Sequence, residues 1–150
     1  MARTKVFLSY CHRDEDWKRR IAIHLGVLKQ QGLLELWCDG DIGVGQDSRA
    51  QVQLNLLSAK AAVLLISADF LASDFVLNDD VPRLLEQHEQ AGMHLVPVLI
   101  RDCAWEAVPW LERLQMLPRD AKPVAELPES QIVRALADVA REVLQLVARP

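Results

Sequence analysis

Ala61-Ala62-Val63-Leu64-Leu65-Ile66 decides the fold, because it is apolar at every position. A strand with one wet face alternates polar and apolar residues; a strand without polar residues is covered on both faces, as in the middle of a parallel sheet. Outward from it, Lys5-Val6-Phe7-Leu8-Ser9 is another short apolar run ended by a polar residue. From Asp14 the period becomes helical, with Trp17, Ile21, Leu25 and Leu28 on one face. Gly32 stops this helix, and residues 33–38 read as a strand. Asp39-Gly40-Asp41-Ile42-Gly43-Val44-Gly45 predicts a loop, and a helix is expected over roughly 48–58.

Beyond the central run, residues 67–80 are polar and aromatic, a helix runs to about Ala91 with Gly92 as its stop, and residues 94–100 read as a strand. Pro97 counts against that strand. Ile132, Leu136, Val139, Val143 and Val147, spaced by 4, 3, 4 and 4, mark the clearest amphipathic helix of the chain. Strands alternating with helices imply a doubly wound α/β fold with a mostly parallel sheet of about five strands and right-handed crossovers. Ligands of such sheets bind outside the carboxyl ends of the strands. Ser9-Tyr10-Cys11-His12, Asp39-Gly40-Asp41, Ser67-Ala68-Asp69 and Arg101-Asp102-Cys103 stand there, and nearly all are polar.

Composition narrows the function. A chain of 150 residues, 51% hydrophobic and 25% charged, is globular, and neither disordered nor collagen-like. It carries no linker or repeat, so residues 1–150 are read as one domain. A net charge of −4, from 17 basic and 21 acidic residues, has the wrong sign for gripping phosphate backbones, and nucleic acid is not an expected partner. The longest apolar run, residues 61–66, is far short of the ~20 residues that cross a bilayer, so no membrane partner is expected. Residues 1–10 lack the apolar core of a secretory signal, which makes a cytoplasmic location the expectation. Cys11, Cys38 and Cys103 form an odd set without Cys-x-x-Cys spacing, as free thiols in a reducing compartment do.

Several stretches, in order, resemble the TIR (Toll/interleukin receptor) domain over about residues 4–146. Val6-Phe7-Leu8-Ser9-Tyr10 is similar to the family's first box, and Trp37-Cys38-Asp39 through Ile42 and Gly45 to its second strand and BB loop. Ser67-Ala68-Asp69-Phe70-Leu71-Ala72-Ser73-Asp74-Phe75 resembles the segment after the third strand in bacterial members. Val96-Pro97-Val98 with Trp105, then Leu114-Gln115-Met116-Leu117-Pro118, completes the pattern, and Pro97 is usual there. The resemblance implies a flavodoxin-like, three-layer fold with strand order 2-1-3-4-5; with the chain ending just after the last helix, the expectation is a domain excised from a longer multidomain protein. It also implies one of two activities. Some members are scaffolds that act through TIR–TIR assembly, with other TIR domains as partners; others cleave NAD at the nicotinamide–ribose bond in immune or antiphage responses, with NAD as substrate and no cofactor.

The enzymatic members use one glutamate. A lone acid suffices in principle, because nicotinamide leaves as a neutral group while the ribose becomes oxocarbenium-like and needs only a nearby negative charge. Here the matching segment reads Ser73-Asp74-Phe75-Val76-Leu77-Asn78-Asp79-Asp80, without glutamate. Counting forward from Phe75 places the acid at Asp79, and counting back from the helix Arg83-Leu84-Leu85-Glu86 places it at Asp80, which we favour. Aspartate is shorter by one methylene, roughly 1.5 Å of reach, and a misplacement of about 1 Å can cost ~100-fold in rate. Asp80 also suits a helix N-cap ahead of Pro82. Ser48 stands where many enzymatic bacterial members carry a tryptophan.

The resemblance places substrate contacts at Ser9, Tyr10, His12, Asp39, Asp41 and Phe75. Each has a plainer reading: Tyr10 and His12 as surface residues, Asp39 and Asp41 as loop-solvating acids, Phe75 as a core anchor beside Phe70 and Leu71. No metal is expected, since the family's strand order puts Cys103 ~10 Å from the end of the first strand, too far for a shared tetrahedral site. A receiver domain would need paired acids where Ser9-Tyr10-Cys11-His12 stands. A nucleoside glycosidase on a related fold shares the acid logic but not the BB-loop resemblance.

Overall fold

The computed structural model describes residues 4–38, 58–73 and 81–148. The elements in chain order are β1 (Thr4–Ser9), α1 (Glu15–Gln30), β2 (Leu34–Cys38), β3 (Ala59–Ile66), a single-turn α2 (Ala68–Leu71), α3 (Val81–Ala91), β4 (His94–Leu99), a short α4 (Pro109–Glu112) and α5 (Glu129–Ala148). Single 3-10 turns lie at His12–Asp14, Trp105–Ala107 and Val124–Glu126. Among the described residues the sheet has four strands, all parallel, in the order β2-β1-β3-β4.

The period of two sorts each strand between two apolar layers. Val6 and Leu8 of β1 and Ala61, Val63 and Leu65 of β3 face Ile21, Leu25 and Leu28 of α1 and Ile132, Leu136, Val139 and Val143 of α5. Phe7, Ala62, Leu64 and Ile66 face the opposite way, onto Phe70, Val81, Leu84 and Leu111. The two covers explain why residues 61–66 hold no polar side chain, and each Leu, Val or Ile so buried contributes about 1.5–3 kcal/mol. This is the expected three-layer, flavodoxin-like arrangement.

Helix α1 stops where glycine permits it. Gly32 has φ of +74°, its N–H donates to Lys29 O at 3.0 Å, and the Leu33 N–H reaches back to Leu28 O at 3.1 Å. That pair of bonds satisfies carbonyls the helix end leaves open. Gly92, at φ +71°, stands in the same place after α3.

The expected fifth strand is reduced to one bridge, between Val98 and Leu117. Leu117 donates to Pro97 O and accepts from the Leu99 N–H, both at 2.8 Å, and a turn closed by the Ala121 N–H on Pro118 O then takes the chain away. The same bonds explain Pro97. In a parallel strand the backbone groups of alternate residues face opposite neighbours; Ile100 donates to Ile66 O on β3, so Leu99 and Pro97 face outward. The donor that Pro97 lacks costs β4 no bond to β3.

The predicted loop at 39–45 and most of the helix at 48–58 lie outside the described residues. Among the described residues no helix is long and apolar enough to cross a membrane.

Candidate functional site

Every buried polar residue among those described, Ser9, Asp14 and Ser67, lies at the carboxyl ends of β1 and β3. A buried polar group costs stability unless it is hydrogen-bonded. Ser9 ends β1 with its side chain fully buried, and its Oγ has no hydrogen-bond partner among the described residues. Tyr10 follows, half-buried against the α1–α5 layer, with the Lys18 ammonium 5.6 Å from its ring centroid. That is within cation–π range. The Asp14 N–H then donates to Cys11 O at 2.8 Å, which closes the turn that carries the exposed His12.

Asp14 occupies the N-cap position of α1 but makes no side-chain cap bond. Its carboxylate turns inward, where Oδ2 accepts from Ser67 Oγ at 2.6 Å and Oδ1 lies 3.5 Å from Arg101 Nε. Ser67 Oγ in turn accepts the Phe70 N–H at 3.2 Å and so caps α2. One carboxylate, 1% exposed, thereby joins the chain ends after β1, β3 and β4. Outside this node, Arg13 pairs with Asp69 at 3.8 Å across the surface. Further along, burial pushes the Cys103 thiol above its ordinary value, and the charges of Asp102 and Glu106 add to this against a lowering backbone hydrogen bond at Trp105.

Of the residues singled out in the sequence, Ser9, Tyr10 and His12 stand together at this edge. Asp39, Asp41, Phe75, Asp79 and Asp80, with Ser48, lie outside the described residues. Asp14 was legible only as the residue where a helix begins; its pairing with Ser67 spans 53 positions and has no local signal. Among the described residues no three His, Cys, Asp or Glu side chains could hold a metal ion. None of the three cysteines is in a disulfide.

A separate groove of about 660 Å³ lies between residues 117–127 and α5 and shares no residue with the carboxyl edge. Much of its charge is internally paired, Arg119 with Glu142 at 3.5 Å and Arg141 with Asp138 at 2.7 Å.

Known proteins resemble this chain over most of its length. The TIR-domain family profile matches residues 6–128. An uncharacterized protein, y4lF, of Sinorhizobium fredii (strain NBRC 101917 / NGR234) is 32% identical over 150 residues, which are 97% of this chain and 46% of that protein. The chain thus spans about half the length of this relative. Among solved structures, the TIR domains of the activated Roq1 resistosome that directly recognises the pathogen effector XopQ superpose with a TM-score of 0.55 at 23% identity, covering 92% of this chain and 84% of that one. The TIR domain of the Toll-related receptor TRR-2 from Hydra magnipapillata gives 0.60 at 15%, covering 96% and 98%. The RPS4 and RRS1 TIR domain heterodimer gives 0.61 at 16%, covering 99% and 100%. At these identities the superpositions speak for the fold alone, while the profile, which matches well over half of the chain, makes it a member of the TIR-domain family.

Proposed function

We propose that this TIR domain hydrolyses NAD at the nicotinamide–ribose bond once copies of it associate, as the effector module of a longer bacterial defence protein in the cytoplasm. The observation that carries this reading is the gathering of Ser9, Asp14 and Ser67 at the one sheet edge where α/β folds hold their ligands. In the proposed reaction the C1′–N bond breaks and its electron pair leaves with neutral nicotinamide. A carboxylate at Asp80 or Asp79 stabilises the oxocarbenium-like ribose. Water then bonds to C1′ and releases a proton, giving ADP-ribose.

Self-association finds support in Ile23 and Val27, one turn apart on α1 and 72% and 63% exposed. Apolar side chains left in water at that spacing suit a partner helix. A second reading, a scaffold acting by assembly alone, is favoured by Asp79-Asp80 standing where the enzymatic members carry glutamate.

The test is NAD consumption at high protein concentration by the parent, Asp80→Ala, Asp79→Ala and Asp80→Glu. Turnover in the parent, abolished by one alanine substitution, is expected, with a gain from Asp80→Glu if reach is limiting. No turnover in assembled protein, Asp80→Glu included, overturns the enzymatic reading and leaves the scaffold.

A further inference from the structure

Arg101 is the first residue beyond Ile100, whose N–H still pairs with Ile66 O, so it stands at the sheet edge beside the end of β3. Its side chain is 55% exposed, and its one ion pair among the described residues is through Nε to Asp14 Oδ1, at 3.5 Å. The acid that holds it is itself held: Asp14 is buried and receives the Ser67 hydroxyl. A guanidinium drawn to a buried carboxylate on its Nε side, by charge and without a hydrogen bond, keeps its two terminal NH2 groups for another acceptor, in the fork geometry that matches phosphate. Less of its rotamer freedom remains to be lost on binding.

We infer that Arg101 is a ligand-binding residue of the carboxyl-edge site, that it takes a phosphate group of a dinucleotide, and that Asp14 is the positioning residue that aims it. This deepens the NAD reading and rests on it for the identity of the ligand. The surrounding charge is mixed and favours a placed group over a diffuse positive field: Arg13 is paired with Asp69, and Asp102 follows Arg101 directly. A purely structural alternative makes Arg101 only the counter-ion of a buried acid.

The alternatives separate on a phosphate-dependent readout. Binding of ADP-ribose and of adenosine, which differ by the pyrophosphate and the distal ribose, is measured by calorimetry on the parent, Arg101→Gln, Arg101→Lys and Asp14→Asn, with inorganic pyrophosphate as a competitor and thermal melts as a check of folding. The parent is expected to prefer ADP-ribose. Arg101→Gln should lose about tenfold of ADP-ribose affinity with adenosine unchanged, as befits one charge-assisted hydrogen-bonded pair. Arg101→Lys should recover part of the loss, and Asp14→Asn should lose less than Arg101→Gln. An ADP-ribose preference unchanged in Arg101→Gln, or no binding of ADP-ribose to the parent, overturns the inference. Because binding is read without turnover, an inactive parent that still shows the Arg101-dependent preference would overturn only the NAD-hydrolysing reading. If Asp14→Asn fails to fold, the half-exposed Arg101 variants carry the test alone.

Discussion

The middle of the sheet and its carboxyl edge are built on opposite rules. Residues 61–66 are 0–1% exposed and wholly apolar, whereas beyond the strand ends the buried side chains are Ser9, whose Oγ has no partner among the described residues, and Asp14 and Ser67, joined by a hydrogen bond and tied to Arg101 by one ion pair. The first region contributes stability through area removed from water, without direction. The second contributes little of that and instead specifies where three chain ends lie relative to one another. The difference teaches where variation is tolerated: the middle accepts any well-fitting hydrophobe, and the edge accepts almost nothing else of the same shape.

The sharpest break comes from the middle. Leu64→Ala should cost about 3–4 kcal/mol by opening a cavity in a site that is 1% exposed, read as a lowered urea midpoint with unchanged slope. Asp14→Ala should cost about 2–3 kcal/mol, because the Ser67 hydroxyl loses its acceptor in a buried place while Arg101 re-solvates. Ser67→Ala removes one cap and one hydrogen bond and should cost about 1–2 kcal/mol in the same measurement. Arg101→Gln should shift stability by less than about 1 kcal/mol, since its side chain is half in water. A large loss there would erase the contrast between a stabilising middle and a positioning edge.

The smallest effect is chemical. With its pKa raised by burial, the Cys103 thiol should alkylate more slowly at pH 8 than an unfolded control, and the gap should narrow as pH rises. A raised folded-state pKa also means that this group's contribution to stability is full below the ordinary thiol value and falls as pH climbs through the folded one. Equal alkylation rates in folded and unfolded protein would contradict the burial of that thiol.

Much of the middle was legible in the sequence. Residues 61–66 announced a doubly covered strand, Gly32 and Gly92 announced helix stops, and the Ile132–Leu136–Val139–Val143 spacing announced α5, because each is a local pattern imposed by 2.0 or 3.6 residues per repeat. The edge was legible only as a collection of polar residues after strands. That Asp14 would turn away from its own helix to meet Ser67 and Arg101 depends on the order β1-β3-β4, which no window of sequence contains. The single bridge at Leu117 leaves no local signal for a related reason: Leu114-Gln115-Met116-Leu117 holds no β-branched or aromatic residue, and its pairing is ended by the turn at Pro118.

Pro97 bears on how copies of this chain can meet. An outer strand with free N–H and C=O groups invites another chain to extend the sheet, which is the common route to uncontrolled aggregation. Among the outward groups of β4, Pro97 has no donor, its carbonyl accepts from Leu117, and the Leu99 N–H is taken by the Leu117 carbonyl. A visiting strand would find the ladder interrupted at residues 97–99. Any association through this flank would therefore have to proceed by side chains rather than by strand addition at residues 97–99.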